Sequence, residues 1–395
     1  EVTLWDFANA KREPMLRLDA VGTVFGLQFD ASSNYIIAEH GRGQPRFSKW
    51  RASDGKELAN FESERGTNYG SAVVAVRRDG NMIAFCKDGR AERYNLNVGE
   101  RIAAELPTQN RAMWCAYSPA GKYLATWGYD GVAVVSDAAS GKEIWRFKGR
   151  ESLSAAAFSP DDRYLVTGEF VSKKPGAVTV WDMESGRLVA KDTIPVLKDV
   201  VADPNSEMWL HLGEGVFARE IAFAPDGRHF ALAAAGSPLC VWRIEENRPQ
   251  AVAATTSGRL TLAKRFDTAV ATTAYNEYGM ALSPDDRWLV HSMTHRGRLE
   301  RIDLTTNEVV KLPFESPVAV NSIAISEDSE QLVVGTKTGD VHIFWMNGQA
   351  EPVKLTTAHG LVRQVAFSGQ YVLAASRSTG GNSKATGAGS IERWK

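Results

Sequence analysis

Apolar residues in this chain come in short bursts of four to six, alternating with polar ones and punctuated by Gly, Pro, Asp and Ser, and one compact pattern keeps returning. It reads as an apolar strand, then Ser-Pro-Asp-Asp/Gly-Arg, then an aromatic residue, Leu-Val and a small residue. Clear copies are AYSPAGKYLAT (116–126), AFSPDDRYLVT (157–167), AFAPDGRHFAL (222–232) and ALSPDDRWLVH (281–291). Weaker copies are QFDASSNYIIA (28–38), AVRRDGNMIAF (75–85), AISEDSEQLVV (324–334) and AFSGQYVLAA (366–375). Period-two alternation on both sides of a turn predicts a β-hairpin in each. Pro119, Pro160, Pro225 and Pro284 preset φ for the second position of a type I turn, and the Asp or Gly that follows tolerates the remaining geometry. Pairs such as Asp161-Asp162 and Asp285-Asp286 are read as turn residues, because a calcium loop needs several more oxygen ligands at set spacing.

Between the equivalent residues Phe29, Val76, Tyr117, Phe158, Phe223, Leu282, Ile325 and Phe367 the spacings are 47, 41, 41, 65, 59, 43 and 42. Five of the seven match the period of a four-stranded unit repeated around an axis. After each hairpin comes a third strand, which usually ends at or near an aromatic: Trp50, Tyr94, Trp181, Trp242, Phe344 and Trp394. A turn and a fourth strand follow, as in DMESGRLVA after Trp181.

GAVTVWDMESGRLVA and the opening EVTLWDFANAKREPMLRL resemble the third and fourth strands of WD repeats, and the resemblance runs over essentially the whole chain. It implies an all-β fold, a β-propeller of four-stranded antiparallel blades. The repeats count to eight, with seven the alternative, in a single domain over residues 1–395. Trp-Asp itself occurs at Trp5-Asp6 and Trp181-Asp182, with Ser136-Asp137 and Ile302-Asp303 in equivalent places. The family's Gly-His pair has one candidate, His359, so its buried His, Asp and Trp network is expected to be incomplete in most blades. Residues 1–19 read as third and fourth strands, while the C-terminus supplies first, second and third. One third strand, 1–7 or 390–395, is therefore in excess. The chain starts at Glu1 without methionine, as a mature form or a piece of a longer polypeptide would.

Two spacings exceed the usual 41 by 24 and 18 residues, which places insertions at about 191–218 and 247–277. Both are expected between the fourth strand of one blade and the first of the next; in WD propellers those connections open on the top face, where partners dock. TSGRLTLAKRF, inside the second, alternates enough to be an extra edge strand. RSTGGNSKATGAG (377–389) reads as a loop and lacks the GxxxxGK[ST] pattern of a phosphate cradle.

Composition narrows the function. No apolar run approaches the roughly 18 to 20 residues of a membrane span. Forty-six basic against 47 acidic residues leave a net charge of -1, which supplies no field for nucleic acid. Cys86, Cys115 and Cys240 lie far apart within apolar stretches, as core residues in a reducing compartment would. No targeting signal precedes the first strand, so a cytoplasmic protein is expected. GxSxG, HExxH, CxxC and Walker patterns are absent from the sequence. His291 and His295, four apart, could share a strand face, but one packed and one solvated is the plainer reading; no metal and no cofactor is expected.

Several propeller families are enzymes, and their sites sit in the central channel, built by one residue from each innermost strand. Here those positions are Phe25, Ala72, Met113, Ser154, Arg219, Tyr278, Asn321 and Arg363, a ring without a carboxylate and so without a general acid and base. The ring suits recognition better, because arginine and aromatic side chains anchor interfaces. The expected partner-binding surface on the top face comprises Met113, Trp114, Trp127, Tyr129, Glu169, Trp209, Arg219, Tyr278, His295, Arg296, Asn321 and Arg363. The resulting expectation is a non-catalytic scaffold for a protein or peptide. An enzyme or small-molecule sensor using the channel is the alternative.

Overall fold

The computed structural model describes residues 2–5, 14–18, 20, 23–30, 32–41, 46–62, 74–87, 89–102, 106–107, 111–171, 175–196, 216–235, 237–246, 258–269, 279–293, 298–314, 320–348, 350–357, 360–368, 371–377 and 389–394. Among these residues every regular element is a strand. The hairpin unit explains why. In Ser159-Pro160-Asp161-Asp162, Asp162 N–H donates to Ser159 O at 3.0 Å, closing the turn, and Asp162 takes a left-handed φ of 59°. The Ser159 hydroxyl donates to Asp161 Oδ1 at 2.6 Å and accepts the Tyr164 N–H at 2.8 Å. Ser118, Ser283 and Ser326 accept the N–H five residues on in the same way, so the serine of the repeat sets the strand register after the turn. The Asp of Trp-Asp has an equally local task. Asp137, Asp182 and Asp303 accept N–H groups of Ser140, Ser185 and Thr306, forming the turn into the fourth strand. That is why Asp persists where Trp has been replaced by Ser136 or Ile302.

Each hairpin extends to a meander. Blades 1 (23–62), 2 (74–101), 3 (112–148), 6 (280–311) and 7 (320–356) are separate four-stranded antiparallel sheets. Blades 4 (152–193) and 5 (216–269) have the same strand order but are joined, because the second strand of blade 4 (Tyr164–Val171) ends by pairing with the first strand of blade 5 (Val216–Phe223) at Phe170 with Phe217. The eighth unit carries three strands in 362–394, and the hairpin of Val2–Trp5 and Pro14–Leu18 lies against its third strand. Both surplus third strands are thus present, side by side. The ring closes where Leu27 N–H of blade 1 donates to Gln364 Oε1 of blade 8 at 3.0 Å, over a cluster uniting Val24, Leu27 and Ile36 with Leu373 and Ala375.

The second long spacing differs from its expectation. Gly258–Ala269 within it is the fourth strand of blade 5, paired with Pro238–Glu246, and not an extra one. The excess therefore flanks that strand, at 247–257 and 270–278, outside the described residues. The first excess, at 197–215, also lies outside them.

Candidate functional site

All six described ring positions share one backbone feature. The innermost strands are bulged between Val24 and Gly26, Ala112 and Trp114, Leu153 and Ala155, Ala218 and Glu220, Val320 and Ser322, and Val362 and Gln364. The residue left out of the ladder is in each case the one assigned to the ring: Phe25, Met113, Ser154, Arg219, Asn321 and Arg363. A bulge re-aims its side chain and bends the strand. Here it recurs at one level, near the upper face where the innermost strands begin. Ala72 and Tyr278 lie outside the described residues.

At three of the six bulges the residue that follows binds one blade to the next. Gln364 accepts the Leu27 N–H, Ser322 Oγ accepts the Val365 N–H at 3.1 Å, and Glu220 accepts the Met280 N–H. In each case the donor sits one residue past the corresponding position in the next blade. Blade 1 has Gly26 there, and the Glu39 carboxyl of the adjoining strand lies beside the space a Cβ would fill. Burial pushes both Glu39 and Glu220 up to about 8, with the Met280 N–H opposing the shift at Glu220. Glu220 was missed because one position per innermost strand was read, and Glu39 because it stands on a second strand. The signal was available, since Glu220 directly follows Arg219.

The expected surface residues separate into groups. In blade 3, Met113 is 41% exposed, Trp114 pairs across the ladder with Trp127, and the Trp114 and Tyr129 rings meet edge to face at 5.3 Å. Gly128 allows this approach, because a Cβ there would stand 1.8 Å from the Arg111 carbonyl oxygen. The Tyr129 carbonyl accepts the Ser152 hydroxyl of blade 4 at 3.0 Å, which fixes the mouth between the two blades. Three polar groups in these blades, Tyr117 Oη, Trp127 Nε1 and Ser154 Oγ, are buried with no hydrogen-bond partner among the described residues. Trp127 itself is core rather than surface.

Glu169 turns inward. It accepts N–H groups of Arg150 at 3.0 Å and Ala177 at 3.2 Å, with Arg150 and Lys191 paired to it, so it organises loops rather than facing solvent. Arg219 lies over the Phe217 ring at 4.4 Å, and that ring meets Phe170 edge to face. Asn321 donates through Nδ2 to Val362 O of blade 8 at 2.9 Å. The Arg363 backbone is in its strand, with its side chain outside the described residues, as are Trp209, His295 and Arg296. His291 is packed, 3.4 Å from Glu300. Among the described residues no group of three or more His, Cys, Asp or Glu could hold a metal ion, and no helix is long and apolar enough to cross a membrane.

The Trp of Trp-Asp keeps part of the family network: Trp181 Nε1 donates to Thr167 Oγ1 at 3.2 Å. His359 lies outside the described residues.

Strand order, ring closure and the recurrent bulge define a β-propeller. The family model "WD domain, G-beta repeat" matches residues 141–182, from the fourth strand of blade 3 through the third of blade 4. This match and the relatives that follow support a WD-repeat family for the chain. It is 28% identical to centriole proteome protein 16 of Chlamydomonas reinhardtii over 46% of this chain and 8% of that protein. It is 30% identical to small ribosomal subunit protein RACK1z of rice (Oryza sativa subsp. japonica) over 26% of this chain and 30% of that protein. With eukaryotic translation initiation factor 3 subunit I of the yeast Vanderwaltozyma polyspora it shares 24% identity over 42% of this chain and 53% of that protein. The matches thus span at most about half of these relatives. A crystal structure of the computationally designed Ika8 protein superimposes with a TM-score of 0.65 at 16% identity, covering 96% of this chain and 98% of that one, a likeness of fold.

Proposed function

We propose that residues 1–395 form one propeller domain that acts as a non-catalytic scaffold, binding a protein or peptide through the upper face. One observation carries the reading. Of the exposed large hydrophobic side chains among the described residues, Leu58, Ile144, Leu262 and Val309 sit on outermost strands and Val98 in an outer turn, whereas Met113 alone stands on an innermost strand. Isolated apolar residues at a rim are ordinary; one beside aromatic rings at a channel mouth is the composition of an interface anchor. Two relatives carry names of components of larger assemblies, the small ribosomal subunit and initiation factor 3, which supports the same class of role for this chain by analogy. A cytoplasmic location and indifference to nucleic acid belong to the same proposal.

A channel enzyme would need converging carboxyls. Glu39 and Glu220 belong to blades 1 and 5, four blades apart in the ring; Glu39 lies beside Gly26 of its own blade and Glu220 accepts the Met280 N–H of blade 6. The test is affinity capture from source cells with the native chain, Met113→Glu and Arg78→Glu, the last on the opposite face. A partner retained by the native chain and by Arg78→Glu but lost from Met113→Glu supports the proposal. Equal capture by all three refutes it.

A further inference from the structure

Two of the three cysteines meet across the junction of blades 2 and 3. Cys86 stands on the second strand of blade 2 (Met82–Lys87) and Cys115 on the first strand of blade 3 (Ala112–Tyr117), 6% and 4% exposed, within one apolar cluster with Ala84, Ala112 and Leu124. Their thiols hydrogen-bond to each other. Cys115 Sγ also donates to Ala84 O at 3.4 Å, two residues before Cys86 on the same strand. Cys240 is buried in blade 5, in a different cluster.

We propose that Cys86 and Cys115 form an inter-blade oxidation site, at which a disulfide ties the second strand of blade 2 to the first strand of blade 3. A small disulfide such as oxidised glutathione is a sufficient oxidant. One cysteine thiolate attacks a glutathione sulfur and expels one glutathione thiolate, leaving a mixed disulfide; the second cysteine thiolate then displaces the other glutathione. The two cysteine protons and two electrons end on two molecules of glutathione, and the protein gains one S–S bond. The hydrogen bond to Cys115 and burial hold the Cys86 thiol well above the ordinary thiol range, so Cys86 is not a standing nucleophile. The reaction follows local opening of the blade junction, after which the nearest thiol is always the other member of the pair.

The position gives the modification a consequence. Cys115 directly follows Met113 and Trp114 on the bulged strand, so the link would pin the strand that bears the exposed mouth of blade 3. The site stands independently of what that mouth binds.

The full chain is incubated with oxidised glutathione over a series of sub-denaturing urea concentrations, blocked with N-ethylmaleimide and digested without reduction for mass spectrometry. Parallel N-ethylmaleimide labelling without oxidant shows where in the series both thiols are reached. The expected result is a linked Cys86–Cys115 peptide as the main disulfide, in the native chain and in Cys240→Ser but not in Cys86→Ser. With it comes a higher thermal midpoint that dithiothreitol reverses. If conditions that label both thiols yield only glutathione adducts, or links to Cys240, the proposal is overturned.

Discussion

Blades 1 to 3 and blades 3 to 5 solve one packing problem with opposite chemistry. At the third-strand position two residues before the turn, blades 1 and 2 carry Lys49 and Arg93, 3% and 1% exposed. Lys49 Nζ crosses to Asn81 Oδ1 at 3.1 Å and Asn97 Oδ1 at 3.2 Å in blade 2. Arg93 donates to the carbonyls of Ala138 and Ala139 at 3.0 Å and Ser140 at 3.2 Å in the outer turn of blade 3. In blades 3, 4 and 5 the same register holds Val135, Val180 and Val241, all buried. Val180 belongs to the apolar cluster that runs through blades 4 and 5 and includes Val166, Phe230, Leu232 and Trp242. The backbone accepts either solution. A buried cation, however, is tolerable only while its carbonyl or amide partners remain, whereas valine asks only for volume.

Truncation should therefore cost more on the polar side. Arg93→Ala is expected to lower the unfolding free energy by about 3 to 5 kcal/mol, and Arg93→Met, which restores the volume but leaves the same three carbonyls unpaired, should lose most of that amount too. Urea denaturation of both variants checks this, and an Arg93→Met variant that keeps native stability would mean that the guanidinium acts only as volume. Next comes Val180→Ala, a plain cavity, at about 2 kcal/mol by the same measurement. A loss as large as that of Arg93→Ala would erase the contrast.

A third test concerns the ring's buried carboxyls. Glu39 binds its proton up to about pH 8 in the folded chain but only to the ordinary carboxylate range when unfolded. The unfolded state thus releases a proton first, and the stability contributed by the protonated side chain falls as pH rises from about 4.5 towards 8, then levels off. The steepest slope is about 1.4 kcal/mol per pH unit. Glu39→Gln should reduce the slope by that amount in denaturation curves between pH 5 and 8, with Glu220 keeping its own share, and an unchanged slope would remove Glu39 from the account. The smallest effect is expected at the surviving family network: Trp181→Phe gives up one hydrogen bond to Thr167, about 1 kcal/mol in the same assay.

The contrast also marks what the sequence could disclose. The Ser-Pro-Asp-Asp hairpins and the Asp of the outer turns were legible because their partners lie within five residues, as Ser159 with Tyr164 and Asp182 with Ser185. The bulged positions were legible because each stands four residues before its hairpin anchor, as Met113 before Tyr117 and Arg219 before Phe223. The partners of Lys49, Arg93 and Gln364 were not, since each lies on another blade and nothing local distinguishes a clamp from a solvated charge. Trp127 and Glu169 were assigned to a binding surface from loop position alone. Packing turned the first into core, and two backbone N–H groups drew the second inward. The fourth strand of blade 5 was misplaced because extra residues stand on both sides of it, which shifts the count without altering the alternation.

The most direct test of the recognition surface is hydrogen–deuterium exchange of the chain alone and with a captured partner. Upper-face binding predicts added protection at 111–117 and 128–131 in the mouth of blade 3, with the lower turn at 159–162 unchanged. Protection confined to the lower turns, with residues 111–117 exchanging as in the free chain, would contradict it.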